Sequence, residues 1–302
     1  MFKLEGTDED VLIYGISKTV DSICLELIES GKVKDFRMLS RILGLNGKNS
    51  EKNLWTWRKK NVGIPIKALK RLSEISKKDL TMILEDAQVG RRRSKHKFSN
   101  PRFNEMKAYL AGIISGDGNL QEYFIQITDQ YEENLKLTKD LFYREFGVPV
   151  SLRKITENKY VIEICSKLIV DYFADILKIQ KHTKQNQKVP EIIQHGNEKI
   201  KIAYIRGWMD AEGNIEDWHR DKIHQYVRIN FKIKDKNIVN WISEELMKNS
   251  ITHNVRKDKE GMYRIQIASK KSVLRYYNKI GFTFPKKKSR LYLLLKGLGL
   301  VT

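Results

Sequence analysis

Cysteine is almost missing from this chain: two residues among 302, Cys24 and Cys165. Their separation rules out a disulfide framework or a thiolate metal cluster, and both read as small core residues of a protein in a reducing compartment. Long apolar runs are missing too. No stretch approaches the roughly 20 residues that cross a bilayer, and the opening Met-Phe-Lys-Leu-Glu-Gly lacks the layout of a signal peptide. The sequence therefore points to an intracellular protein, in cytoplasm, nucleoid or organelle, with no membrane partner. Acid is the third shortage: 37 Asp and Glu face 57 Lys and Arg, a net charge of +20 with a pI near 9.7. A polyanion gains most from such an excess, which makes nucleic acid the leading partner. Hydrophobic residues are present in ordinary measure, at 41%, enough to bury cores in a chain whose length suggests about two domains.

The positive charge is segregated. Residues 1–30 hold seven acids and two bases, whereas residues 31–78 hold fourteen bases and three acids. Within residues 1–89 the apolar spacing is helical, first at Val20, Ile23, Cys24, Leu27 and Ile28, then at Phe36, Leu39, Ile42 and Leu43, with Gly44 placed to stop the second helix. A turn through Asn46-Gly-Lys-Asn-Ser50 leads into a third helix, Glu51 to Lys60, and Gly63-Ile-Pro65 breaks the chain before another amphipathic stretch. That order is helix, turn, helix. The third helix is expected to bury Leu54 and one of the two tryptophans, Trp55 and Trp57, which read as core anchors and not as base-stacking groups, and to present Lys52, Asn53, Thr56, Arg58, Lys59 and Lys60 to phosphates and base edges. This arrangement resembles the helix-turn-helix domains of phage-repressor type, which implies an all-α DNA-binding domain. Residues 90–103 add six bases and no acid and include Gly, Ser, Asn and Pro. They read as a basic linker whose Arg91, Arg92 and Arg93 can lie along phosphates.

From residue 104 onward the chain can be laid out twice on one plan, over 104–198 and 199–302. A helical phrase opens each copy: Tyr109-Leu-Ala-Gly-Ile-Ile-Ser-Gly-Asp117-Gly118 and Tyr204-Ile-Arg-Gly-Trp-Met-Asp-Ala-Glu212-Gly213. Each phrase ends in a carboxylate at the negative end of a helix, where an acid is electrostatically disfavoured. Each copy continues with a strand (121–128; 226–233), a helix (132–146; 236–248), two strands (150–155 and 160–165; 252–257 and 262–268) and a helix (167–177; 270–280). The second copy is longer after its motif, around residues 216–224.

Strand alternation shows which face meets a partner. In Val227-Arg-Ile-Asn-Phe-Lys-Ile233 the apolar residues leave Arg228, Asn230 and Lys232 on the opposite side, and Arg264 and Gln266 alternate with Tyr263, Ile265 and Ile267 in the same way. In the first copy Gln126 and Thr128 lie opposite Ile125 and Ile127, while Ser151 and Arg153 flank Leu152. An antiparallel sheet packed on helices on one side and covered with such residues on the other suits a DNA groove.

The duplicated phrase resembles the signature of LAGLIDADG homing endonucleases, over about residues 104–302. The resemblance implies an α+β fold of two pseudo-symmetric αββαββα repeats whose motif helices pack side by side, so that the chain acts as a monomeric pseudo-dimer with antiparallel sheets on duplex DNA. Gly112 and Gly116 match Gly207 and Ala211, and residues four apart share a helix face, so small side chains there let two backbones approach. Asp117 and Glu212 then come together, and their mutual repulsion calls for a cation between them. By the resemblance they hold Mg²⁺, with Mn²⁺ as a substitute, and the carbonyls of Gly116 and Ala211 are further ligands. The implied activity is a double-strand break with short 3′ overhangs. Supporting bases carried over from the family are Lys188 in Gln187-Lys-Val-Pro190, with Lys184 as its alternative, Lys287 in Lys286-Lys-Lys-Ser-Arg-Leu291, and Lys234, the basic member of the polar positions Asp129-Gln130 and Ile233-Lys234.

The pattern departs from the family at Ser115, where many members have an acid, and Glu212 replaces the usual Asp. The ends of the chain, Met1 and Gly-Leu-Val-Thr302, lack the nucleophile and Asn expected of an intein, which favours an intron-encoded or free-standing endonuclease. An RNA maturase acting on intron RNA and a catalytically inactive transcription regulator are the competing readings. The second of these typically loses the acids that this chain keeps.

Overall fold

The structure is a computed structural model that describes residues 11–83, 87–91, 97–99, 103–182, 187–219 and 225–302. By packing, the chain divides into two compact units, one made of the first 102 residues with Arg144–Val148, the other of Phe103–Tyr143 and Pro149–Thr302.

The first unit begins with β1 (Val11–Tyr14) and α1 (Ser17–Glu29), whose stripe of Val20, Ile23, Cys24 and Leu27 is buried. α2 (Phe36–Ile42) is started by Asp35, whose Oδ1 accepts from the Met38 amide at 2.7 Å. Gly44 follows at φ +84°, a conformation that suits only glycine, and stops the helix. α3 (Ser50–Lys59), β2 (Ile64–Pro65), α4 (Ile66–Ser76), α5 (Leu80–Ile83), β3 (Gln88–Arg91) and β4 (Lys97–Ser99) complete the unit.

Its helices follow the sequence pattern, but the unit is not all-α. β1 lies between β2 and β3, and β4 pairs with β3, giving an antiparallel sheet in the order β2-β1-β3-β4. Part of the expected basic linker is therefore strand. Its backbone amides satisfy one another across β3 and β4, which a chain lying loosely on phosphates would not require. The two cysteines also part company: Cys24 is buried, and burial pushes its thiol up to about 12, whereas Cys165 is exposed.

The second unit contains the two copies. The first is α6 (Glu105–Gly116), β5 (Gly118–Leu120), β6 (Ile125–Asp129), α7 (Glu132–Phe146), β7 (Ser151–Thr156), β8 (Lys159–Ile164) and α8 (Lys167–Asp171), which runs on as a wider π turn over Tyr172–Ile176. A short α9 (Glu191–Gln194) precedes the second copy: α10 (Glu198–Glu212), β9 (Gly213–His219), β10 (Gln225–Ile233), α11 (Lys236–Lys248), β11 (Asn254–Lys257), β12 (Tyr263–Ile267) and α12 (Lys270–Lys279). A final α13 (Pro285–Gly297) has Pro at its first position, where the missing N–H has no helical partner to lose.

The sheets have equivalent orders, β5-β6-β8-β7 and β9-β10-β12-β11, so both copies are αββαββα. β5 and β9 begin directly after the motif acids. Reading strand alternation finds only the second strand of each opening pair, because Gly118-Asn-Leu120 is too short to show a period and Gly213–His219 carries Glu216 and Asp217.

α6 is buried at every position from Lys107 to Gly116, the mark of a helix inside a core. Its partner is α10, and the approach is as close as backbone allows. A methyl group on Gly112 would lie 2.2 Å from the Tyr204 carbonyl oxygen, and one on Gly207 would lie 2.1 Å from that of Tyr109. One turn on, a methyl on Gly116 would lie 2.5 Å from the Ala211 Cβ. The expectation that small residues form the seam holds at both levels. The seam is also reciprocal in its polar contacts. Tyr109 donates to Asp210 Oδ2 at 2.8 Å, and its counterpart Tyr204 donates to Ser115 Oγ, the residue equivalent to Asp210, at 3.4 Å.

Candidate nucleic-acid cleavage site

The paired helices end together. Asp117 follows α6 as its C-cap, with its amide bonded to the Ile113 carbonyl at 2.9 Å, and Glu212 is the last residue of α10. Asp117 is half-buried and Glu212 exposed. Beside them lies a cleft of about 450 Å³, lined in part by Asp117, Asp129, Ala211, Asn214, Lys287 and Arg290. A smaller cleft of about 190 Å³ shares Asp117 and includes Asn119, His182 and Gln187.

Lys287 resolves the oddity of acids at a helix C-terminus. From the start of α13 its Nζ donates to the carbonyl oxygens of Met209 and Ala211, each at 3.2 Å, and to that of Asp210. The Met209 carbonyl also accepts from the Gly213 amide, so the ammonium adds to that bond, and a cation at this end offsets the negative helix terminus. Burial pulls the Lys287 ammonium below its ordinary value, while Asp210, Asp117, Asp129 and Glu212 pull the other way. Four carboxylates therefore surround one ammonium.

Asp210 differs from the rest. Its carboxylate accepts from Tyr109, from the Thr283 amide at 2.9 Å and from the Phe284 amide at 3.1 Å, so it is a structural acid that ties the seam to the start of α13. Burial raises its pKa, with those hydrogen bonds opposing.

Asp129 ends β6 at one of the family's polar positions, where sequence reasoning favours the basic Lys234 of the other copy. It is fixed in the larger cleft by the Tyr131 amide at 2.8 Å and by Asn134 Nδ2 at 2.9 Å.

Other expected residues are placed differently. Lys188 has an exposed side chain and lines neither cleft. Its neighbour Gln187, at the family's usual spacing, is buried and lines the smaller cleft with Asp117. One residue along an extended segment reverses the side-chain direction, which explains the exchange. Lys234 is likewise exposed and lines neither cleft. Lys184 lies outside the described residues.

The expected base-contacting residues lie on the polar sheet faces in register. Lys232 stands opposite Arg264, and Arg264 opposite Arg256. Gln126 stands opposite Glu163, and Glu163 opposite Ser151. Some carry partners already: Lys232 pairs with Asp258 at 3.2 Å and Arg153 with Glu163 at 3.7 Å. Gln126, Thr128, Arg228, Arg264 and Gln266 are half-buried, Ser151 and Arg153 exposed. Asn230 is the exception, at 4% exposure.

In the first unit, Lys52 and Asn53 are exposed on α3 and Thr56 is half-exposed, with its Oγ1 donating to the Lys52 carbonyl at 2.7 Å. Arg58 does not join them. It is buried, its Nε donates to Asp21 Oδ1 at 2.6 Å, and its guanidinium lies 3.7 Å from the centre of the Phe36 ring. Arg58 is a core ion pair, not a phosphate contact. The tryptophans divide as well, Trp57 buried and Trp55 half-exposed at 50%. Arg91 belongs to β3 by its backbone, and Arg92 and Arg93 lie outside the described residues.

Residues 199–281 match the family model of the LAGLIDADG-like domain. Among curated proteins, the chain is 27% identical over 199 residues to a glutamine–fructose-6-phosphate aminotransferase of Methanocaldococcus jannaschii, covering 63% of this chain and 18% of that protein. It is 23% identical over 127 residues to a component of the A-type ATP synthase of Methanopyrus kandleri, covering 41% of this chain and 12% of that one. The chain thus spans less than a fifth of either relative. Among solved structures, I-DmoI in complex with DNA and Mn is 23% identical, with 58% of this chain and 96% of that one covered and a TM-score of 0.43. The homing endonuclease I-WcaI bound to its DNA recognition sequence is 16% identical, with 62% and 85% covered and a TM-score of 0.46. Residues 199–281, within the second repeat, are thus the part of this chain that is similar to the LAGLIDADG-like domain.

Proposed function

We propose that this chain is a site-specific DNA endonuclease of the homing type, which binds a long duplex site and cuts both strands with Mg²⁺ or Mn²⁺, leaving 3′ overhangs. The observation that carries the reading is the backbone-to-backbone seam of α6 and α10, which delivers Asp117 and Glu212 to one place beside a cleft holding Lys287 and Arg290.

The donor set fits a hard divalent cation. Asp117, Glu212 and the carbonyls of Gly116 and Ala211 offer only oxygen, and a carbonyl has two lone pairs, so Ala211 can receive Lys287 and still face a cation. Among the described residues no group of three His, Cys, Asp or Glu could hold a metal. Water and phosphate oxygens would complete the shell, as Mg²⁺ commonly requires. A divalent ion held there supplies an activated water and neutralises charge on the scissile phosphate.

The protein's own groups do the positioning. Lys287 holds the end of α10 through three carbonyls and keeps its positive charge next to the reacting phosphate, while Asp129 is oriented to accept a proton or order a water in the larger cleft. The polar sheet faces bind the duplex on either side, and Lys52, Asn53 and Thr56 of the first unit lengthen the footprint.

The test is the double substitution Asp117→Asn with Glu212→Gln, assayed for binding and cutting on a site selected from a random duplex library. Binding is expected to persist and cutting to disappear, as it also should in wild type with a chelator until Mg²⁺ or Mn²⁺ is restored. Undiminished cutting by the double variant at equal binding would show that the acids do something else.

A further inference from the structure

Among the described residues, His182 is the one histidine that lines either cleft, and it stands in the smaller one with Asp117, Asn119 and Gln187. Its backbone is strained. Four of the described non-glycine residues have positive φ, and three of them, Lys77, Lys178 and Ser250, lie within two residues of a helix end, where a left-handed residue is an ordinary stop. His182, at φ +60°, follows no helix. A side chain on a left-handed backbone away from a helix end is uncommon, and such strain collects at functional sites.

The imidazole is also held in one orientation. The His182 amide donates to the Leu120 carbonyl at 2.9 Å, which hangs the segment on the end of β5, the strand that begins directly after Asp117. Gln121 then fixes the ring. Its Nε2 donates to Asn119 Oδ1 at 2.6 Å, so its Oε1 is the atom that faces His182 Nδ1 at 2.7 Å. An amide oxygen only accepts, and Nδ1 must therefore carry the hydrogen. In the neutral ring that leaves a lone pair on Nε2, which has no partner among the described residues. The residue is exposed and lines the cleft, so this lone pair is within reach of a water held there.

We propose that one strand reacts at each cleft and that His182 is the proton acceptor for the cut at the smaller one, a further catalytic residue whose counterpart in the larger cleft is Asp129. As water attacks phosphorus, the new P–O bond forms while the bond to the 3′ oxygen breaks, and its electron pair leaves with that oxygen. The proton of the water passes to Nε2 and from the exposed ring to solvent, and the 3′ oxygen takes a proton from solvent. The second copy supplies neither group. Ile233 stands where the first has Asp129, and, counting from the left-handed residues Lys178 and Gly281 after the last helix of each copy, Pro285 stands where the first has His182. Both acceptors thus come from the first repeat and differ in kind, so each strand depends on its own side chain.

The proposal rests on the chain being a DNA endonuclease, and the experiment separates the two. Full-length protein with Mg²⁺ acts on a supercoiled plasmid carrying a duplex that wild type has selected from a random library, and labelled ends report each strand. His182→Gly should slow one strand at least about tenfold, so that nicked circles accumulate, while the other strand is cut at the wild-type rate. Glycine adopts φ near +60° without strain, so the substitution relieves the backbone and should not lower the melting temperature. Imidazole added to the solution should restore the slow strand and leave wild type unchanged. His182→Asn tolerates the left-handed backbone and can still donate to Gln121, but it lacks Nε2 and should show the same strand-specific loss. Equal slowing of both strands, a strand-specific loss that imidazole fails to relieve, or unchanged cutting in either variant overturns His182 as the acceptor while the endonuclease reading stands. A wild type that cuts neither strand overturns both.

Discussion

Gly207→Ala is the sharpest probe of the seam. The added methyl would lie 2.1 Å from the Tyr109 carbonyl oxygen and 3.0 Å from both the Gly112 Cα and the Ile113 nitrogen. All three are backbone atoms of α6, so no side chain can rotate away, and reaching ordinary contact requires the helices to part by about 1 Å. Overpacking a tight core costs about 1–3 kcal/mol, and a backbone obstacle places this case at the upper end. Alanine's better helix propensity returns about 1 kcal/mol, leaving a net loss of about 2 kcal/mol. For a unit of this size that lowers the melting temperature by about 4–8 °C. Parting the helices also parts Asp117 from Glu212, so cutting should fall further than stability does. The control is Gly297→Ala in α13, where a methyl would meet nothing within 4 Å and the change should be neutral or stabilising. Thermal unfolding by circular dichroism reads both variants, and a Gly207→Ala protein as stable as wild type would refute the seam as described.

Two further perturbations test the residues that the structure reassigns. Arg58→Met removes the buried partner of Asp21 and should cost about 1–2 kcal/mol at neutral pH. Hydrogen bonding from Lys59, then from Arg58, holds the Asp21 carboxyl below its ordinary value of 3.8. With the folded value depressed, this stabilisation is present above pH 3.8 and lost as pH falls through the folded value. The gap in melting temperature between wild type and Arg58→Met should therefore narrow under acid, and a gap independent of pH would argue against the pair. At the smaller cleft, Lys188→Ala should leave cutting within about twofold of wild type, whereas Gln187→Ala should lower it by about tenfold or more. Single-turnover cleavage distinguishes them, and the reverse ranking would restore Lys188 to the site.

The motif helices could be read from sequence because several independent signals fall on the same few residues. Small residues four apart, apolar residues all round and an acid at the wrong end of a helix all coincide in Gly112, Gly116, Gly207, Ala211, Asp117 and Glu212. The sheet of the first unit was hidden for the opposite reason. Ile64–Pro65 has two residues, and Gln88–Arg91 runs into a block of arginines, so neither shows a period of two, and pairing across more than 70 residues leaves no local trace. Arg58 shows a different limit. A base on an exposed-looking helix reads as a phosphate contact until Asp21, 37 residues earlier, is found against it. The same holds for Asn230, whose polar face was legible from alternation while its burial, and the partnerless amino group that results, depend on the two neighbouring strands β9 and β12.

Two helices in backbone contact have only one spacing available, because there is no side chain between them to lengthen or shorten. In the proposed reaction the seam therefore works as a ruler. The distance between the two acids, and with it the number of base pairs between the cuts, belongs to Gly112 and Gly207 and not to the surfaces that read the DNA. Substitutions accumulating on the sheets can change which sequence is recognised, position by position, while the stagger of the break stays constant.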